Sequence, residues 1–133
     1  MKAQKTKFDE KWKVIRGQSA EWFSLLGEHD LKKIDKASPL VRLENFGTTP
    51  QGRKLVAAIV SKDGAKLDPS KPVFLIQAGI HSGEIDGKDA TFMLIRDICF
   101  RGRDKLIDKV NIVFVPIFNA DGHERSTPYS RPN

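Results

Sequence analysis

Cysteine is nearly absent: Cys99 is the single one in 133 residues, which excludes an intrachain disulfide and with it a small disulfide-stapled scaffold. Cys99 sits in an apolar helical run and reads as a small buried hydrophobe rather than a reactive thiol. Long apolar stretches are missing as well. No run approaches the roughly 20 residues that cross a bilayer, and the basic start MKAQKTK is followed by FDEKWK instead of an apolar signal core. A soluble chain with no membrane partner is expected; a secreted or periplasmic location fits if a signal peptide has been removed. Internal repeats and low-complexity tracts are absent too, which excludes a solenoid.

The chain also lacks a long basic stripe with interleaved aromatics, although its formal charge is +6. Residues 1–16 carry Lys2, Lys5, Lys7, Lys11, Lys13 and Arg16 against Asp9 and Glu10, a balance of +4, which leaves +2 for residues 17–133. The excess sits in the leading segment and the rest mixes signs, so nucleic acid is not an expected partner. What remains is 39% apolar and 30% charged residues, the composition of one globular domain.

Residues 1–16 read as a polar basic arm. From Ser19 to about Lys36 the spacing of Trp22, Phe23, Leu26 and Ile34 predicts an amphipathic helix interrupted near Gly27 and ended by Ser38-Pro39. Two apolar segments, about Val41–Phe46 and Leu55–Ser61, flank GTTPQGRK and predict a β-hairpin. After a surface loop, the run Val73–Ala78, a helix over about Glu84–Phe100 with Ala90, Met93, Leu94 and Ile98 at helical spacing, and the run Val110–Phe118 form a βαβ unit. Strands apolar at successive positions suit burial on both faces, so a helix-flanked α/β sheet is expected. Pro116 belongs near the end of its strand, because it removes a ladder donor. Such a sheet has only about four strands and an unpaired apolar edge. With YSRPN lying in a loop, the expectation is a truncation inside a larger domain.

Ligands of α/β sheets collect beyond the carboxyl ends of the strands, and Gly79-Ile80-His81-Ser82-Gly83-Glu84 follows the first parallel strand directly. A neutral imidazole and a carboxylate on one strand-to-helix turn can converge on a zinc ion. Taken alone, His-x-x-Glu admits a second reading, an ordinary capping or hydrogen-bonding pair. His29, among Glu28 and Asp30, reads as part of a solvated helix face.

Three ordered segments carry a family resemblance. FLIQAGIHSGEIDGKDA, residues 74–90, resembles the zinc-ligand segment of the carboxypeptidase A-like metallopeptidases. PIFNADGHER, residues 116–125, resembles their Pro-x-x-Asn-Pro-Asp-Gly segment, and FGTTPQGRKL is similar to the Gly-x-Thr-x-x-Gly-Arg turn that often precedes both. The resemblance extends from about Phe8 to Asn133. It implies a helix-flanked mixed β-sheet, a partial carboxypeptidase-like fold, in which residues 17–133 form the amino-terminal portion of a catalytic domain. It also implies Zn2+ as cofactor, a peptide as substrate, and His81 and Glu84 as two of three protein zinc ligands.

By the same resemblance Arg131 is the best counterpart of the family's carbonyl-polarising arginine, with Arg125 as the second candidate; a solvated loop cation is the competing reading of Arg131. Asp121-Gly122 is expected to shape a turn, and Tyr129 to pack in the loop. His123 can be offered as a substitute ligand, but it looks like part of the family's local pattern. Ala120 stands where the family has proline, and Gly83 where the digestive enzymes have an arginine that captures the substrate's terminal carboxylate. The third ligand histidine, the Asn-Arg pair and the catalytic glutamate of the family all belong to sequence beyond Asn133. An aspartoacylase or succinylglutamate desuccinylase type of zinc deacylase, whose zinc turn is also similar to Gly-x-His-x-x-Glu, is the alternative enzyme. A non-catalytic binding domain on the same scaffold is the alternative of another class.

Overall fold

The computed structural model describes residues 28–64 and 66–125. The basic arm, the first half of the helix expected from Ser19, Tyr129 and Arg131 lie outside the described residues. Helix α1 spans Glu28–Ala37 and buries Leu31 and Ile34, one turn apart on a single face. It stops where expected: the Ser38 amide donates to the Ile34 carbonyl at 3.0 Å, and Pro39 cannot continue the ladder. His29 falls in α1, and its side chain lies outside the described residues.

The hairpin consists of β1, Val41–Thr48, and β2, Lys54–Val60. Its turn is closed by the Thr49 amide donating to Arg53 O at 2.8 Å and the Gly52 amide donating to Thr49 O at 2.9 Å. The βαβ unit follows as β3, Val73–Gln77, α2, Asp86–Phe100, and β4, Asn111–Val115, with a 3-10 turn at Asp104–Ile107 before β4. A short helix α3, Ala120–Glu124, occupies the place where only a turn is expected from Asp121-Gly122. The sheet order is β1-β2-β4-β3, with β3 parallel to β4 and both other pairs antiparallel. This is a mixed α/β sheet, as the sequence predicts, and Pro116 falls just after β4 ends.

Register assigns the two faces. Val41 pairs with Val60, Val60 with Ile112 and Ala58 with Phe114, and these side chains join Leu31, Ile34, Phe92, Ile95, Ile98 and Ile107 in one buried cluster. Each of these side chains other than that of Ala58 contributes about 1.5–3 kcal/mol through removal from water. The opposite face carries Ile59, Val113 and Leu75 in register. Together with Phe46, Val115 and Phe118 they line an apolar groove of about 360 Å³.

Three expectations are corrected. Among the described residues α1 and α2 pack into the cluster on one face of the sheet, so β3 is not covered on both sides: Val73, Phe74 and Leu75 are 51%, 58% and 59% exposed. Among the described residues β3 is an edge strand, the unpaired apolar edge expected from the sequence. Helix α2 starts at Asp86, not Glu84, with Asp86 and Asp89 in its first turn, where the helix dipole favours negative charge. Its buried stripe also includes Lys88, Thr91, Phe92 and Ile95, while Met93 is exposed. A helical spacing fits more than one face, and the position of the sheet selects which one is buried.

Candidate metal centre

The two parallel strands end side by side, and the Ala78 amide donates to Val115 O at 2.9 Å as the last link between them. The chain leaving β3 must then turn sharply over the chain leaving β4. Gly79 makes that turn with φ of +62°, and a Cβ there would stand 3.1 Å from both Ile117 Cα and Pro116 O. Any other residue would meet left-handed strain and backbone crowding together. Gly83, with φ of +80°, turns the chain again before α2.

His81, between these glycines, and Glu84, directly after Gly83, fold back on each other. His81 Nδ1 lies 2.9 Å from Glu84 Oε1, and the His81 amide donates to Glu84 Oε2 at 3.3 Å. The Glu84 amide closes the turn onto His81 O at 3.4 Å. Both side chains stay accessible, 51% and 39% exposed, beside a cleft of about 570 Å³ lined by Ala78, Ile80, Glu84, Ile85 and Asp86. An imidazole nitrogen and a carboxylate oxygen are donors that zinc accepts, and an ion entering here would have to displace the hydrogen bond that now joins them. Among the described residues no third His, Cys, Asp or Glu joins them in a metal-sized group. The donor set therefore fits part of a zinc centre.

The segment after β4 holds the turn from behind. The Phe118 amide donates to Ala78 O at 3.0 Å and the Asn119 amide to Gly79 O at 2.9 Å. Asn119 Nδ2 donates to Ile80 O at 3.2 Å, while Asn119 Oδ1 caps α3 by accepting from the Gly122 amide at 2.8 Å. Ser82 Oγ donates to Gly122 O at 2.6 Å. His81 is thus anchored on both flanks, at Ile80 and at Ser82.

Asp121, read from sequence as a turn residue, joins this layer to the hairpin. Its Oδ1 accepts from Thr49 Oγ1 at 2.8 Å and from the Arg53 guanidinium at 2.7 Å, and its Oδ2 accepts from the Gln51 amide at 3.3 Å. Burial pushes the carboxyl up, but the hydrogen bonds from Thr49, Arg53 and Gln51 outweigh it and hold Asp121 below the ordinary carboxylate range. Sequence reasoning missed Ser82, Asn119 and Asp121 as partners of the site. The available signal was the presence of a Thr-x-x-Gly-Arg turn and an Asn-x-Asp-Gly segment in one chain.

His123 does not belong to this group. It is buried, with neither ring nitrogen hydrogen-bonded, and it lines a separate cavity of about 390 Å³ with Leu31, Arg53, Phe92 and Pro116. Burial and the nearby Lys88 ammonium lower its pKa, against weaker opposition from Glu124 and Asp89. Lys88 is itself fully buried, and burial lowers its pKa against the attraction of Asp89. Arg125 is exposed at the carboxyl end of α3.

Residues 28–133 match the family model for zinc carboxypeptidase. The chain is 33% identical over 106 residues to carboxypeptidase D of Drosophila melanogaster, covering 74% of this chain and 8% of that protein. It is 26% identical over 107 residues to an inactive metallocarboxypeptidase of Saccharomyces cerevisiae, covering 76% of this chain and 25% of that one. Among solved structures, a putative carboxypeptidase A from Shewanella denitrificans is 33% identical with a TM-score of 0.60, covering 73% of this chain and 26% of that chain. Bovine thrombin-activatable fibrinolysis inhibitor superposes with a TM-score of 0.64 at 19% identity, covering 76% and 32%. The chain spans a quarter or less of the curated relatives named here. With a matching family model over most of its length and the corresponding fold, this chain belongs to the zinc carboxypeptidase family.

Proposed function

We propose that this chain supplies part of the active site of a zinc-dependent carboxypeptidase that hydrolyses peptide bonds, with His81 and Glu84 as two of its protein ligands. The observation that carries it is the convergence of His81 Nδ1 and Glu84 Oε1 at the carboxyl ends of two parallel strands. A zinc ion bound there would polarise the scissile carbonyl and lower the pKa of a water molecule. His81 would contribute a ring nitrogen and Glu84 a carboxylate oxygen to that ion. Arg131 is proposed to stabilise the charge that develops on the carbonyl oxygen. The third ligand and the general base are proposed to come from polypeptide outside these residues.

Membership of the family does not by itself guarantee turnover, since the yeast relative is an inactive metallocarboxypeptidase. A non-catalytic scaffold is therefore the second reading. Calorimetric titration of zinc into the 133-residue chain tests the ligand assignment. Weak saturable binding is expected, and His81→Ala and Glu84→Gln should each reduce it by about tenfold or more. Isotherms unchanged by both substitutions would remove the two residues from the metal site. Cleavage of peptides by the isolated chain is expected to be negligible, and clear turnover would overturn the requirement for further residues.

A further inference from the structure

The hairpin turn and α3 meet behind the His81 turn, and neither carries a proposed ligand. The hairpin turn at residues 49–53 holds Asp121 through a hydroxyl, a backbone amide and a guanidinium. Asp121 belongs to α3, whose cap Asn119 and whose Gly122 carbonyl fasten Ile80 and Ser82. A path of hydrogen bonds joined by the α3 backbone therefore runs from Thr49 and Arg53 through Asp121 to the residues on either side of His81. Every hydrogen bond in it measures between 2.6 and 3.3 Å.

We propose that Thr49, Asp121 and Ser82 are positioning residues for the His81–Glu84 pair, and that the hairpin turn pre-organises the metal turn although it contributes no ligand. The physical reason lies in the turn itself. The segment from Gly79 to Glu84 is short, contains two glycines at positive φ and is exposed at His81, so its local sequence shapes the turn but does not hold it in place. Without outside anchors the imidazole and carboxylate would sample many separations, and a metal ion would have to order them on binding. α3 is only five residues long, too short to hold its place by its own helical bonds. Asp121 ties it to the hairpin: three donors of the β1–β2 turn converge on one carboxylate.

The inference rests on the metal reading of His81 and Glu84 only for its functional consequence, so two measurements are needed. Zinc affinity of the 133-residue chain is measured by calorimetry for Thr49→Val, Thr49→Ser, Asp121→Ala and Ser82→Ala, with His81→Ala as reference. Hydrogen exchange of the Glu84 and Gly122 amides is measured on the same proteins without metal. Thr49→Val removes the hydroxyl at nearly constant shape and Thr49→Ser restores it. Thr49→Val, Asp121→Ala and Ser82→Ala are expected to weaken zinc binding by about tenfold, with Thr49→Ser at the parent value. The Glu84 and Gly122 amides should exchange about tenfold faster in Thr49→Val and Asp121→Ala while core amides of β2 and β4 are unchanged.

If His81→Ala leaves zinc binding intact, the metal assignment fails and the exchange data alone decide whether the hairpin orders the turn. If His81→Ala weakens binding but Thr49→Val and Asp121→Ala do not, or if exchange at Glu84 is the same in all variants, the positioning role is overturned. Should Asp121→Ala not fold, the Thr49→Val and Thr49→Ser pair decides on its own.

Discussion

Asn111→Ala should be among the most costly single substitutions in the sheet. Asn111 is fully buried at the start of β4. Its Nδ2 donates to Asp68 O at 2.7 Å and to Lys71 O at 3.3 Å, and its Oδ1 accepts from Ser61 Oγ at 3.1 Å and from the Asp68 amide at 3.2 Å. One side chain thus replaces secondary structure for the loop that delivers the chain into β3. At about 1 kcal/mol net per hydrogen bond the four sum to roughly 4 kcal/mol. Water can re-solvate the half-buried Asp68 and Lys71 groups, whereas Ser61 is fully buried and its hydroxyl would lose the acceptor it donates to, keeping only the Asp63 amide. A loss of about 3 kcal/mol follows, a large share of the roughly 5–15 kcal/mol that holds a domain together.

Urea unfolding followed by far-ultraviolet circular dichroism measures it. The midpoint should fall with the slope unchanged, and Tm should drop by about 10 °C. Asn111→Asp is the sharper control: it keeps an acceptor for Ser61 but turns a carboxylate oxygen toward two carbonyls, and should cost at least as much. Losses below about 1 kcal/mol in both variants would refute the assignment of this loop's anchoring to Asn111.

The buried His123 has a folded pKa below its ordinary 6.5, so the unfolded chain takes up a proton before the folded one does. Stability attached to it is complete well above pH 6.5 and falls as pH drops through the unfolded and then the folded value. Urea midpoints at pH 7.5 and 5.5 should therefore fall more for the parent than for His123→Gln, and equal falls would contradict burial of a neutral ring. Burial pushes the Cys99 thiol up to about 11, so alkylation at pH 8 should be on the order of a hundredfold slower in the folded than in the unfolded chain; comparable rates would show an accessible thiolate. Gly79→Ala should cost about 2 kcal/mol and weaken metal binding, because left-handed strain adds to the 3.1 Å approach to Ile117 and Pro116. Gly83→Ala meets nothing within 4 Å and should cost only the strain of about 1 kcal/mol; equal costs for the two would remove the crowding argument.

Much of this architecture is legible one residue at a time. The hairpin, the βαβ order, the placement of Pro116 just after β4 and the stop of α1 at Ser38-Pro39 follow from local rules, because turn glycines, proline and apolar alternation act within a few residues. His81 and Glu84 are also picked out locally, as a tetrad on a strand-to-helix turn. Their approach to 2.9 Å depends on Gly79 and Gly83, both visible in the sequence.

Other features were fixed only by tertiary contact. Whether VFLIQ lies inside the sheet or at its edge depends on which strands pair, and pairing sums contacts over the whole sheet rather than over five residues. The choice of Phe92 and Ile95 over Met93 for burial was made by where the sheet lies, not by helical period. Asp121 shows the difference most directly. In sequence it is an ordinary turn residue, and its role arises because the fold carries Thr49 and Arg53 across roughly 70 positions to one carboxylate. Local chemistry named the candidate ligands, while the contacts that hold them came from parts of the chain that only folding brings within hydrogen-bond reach.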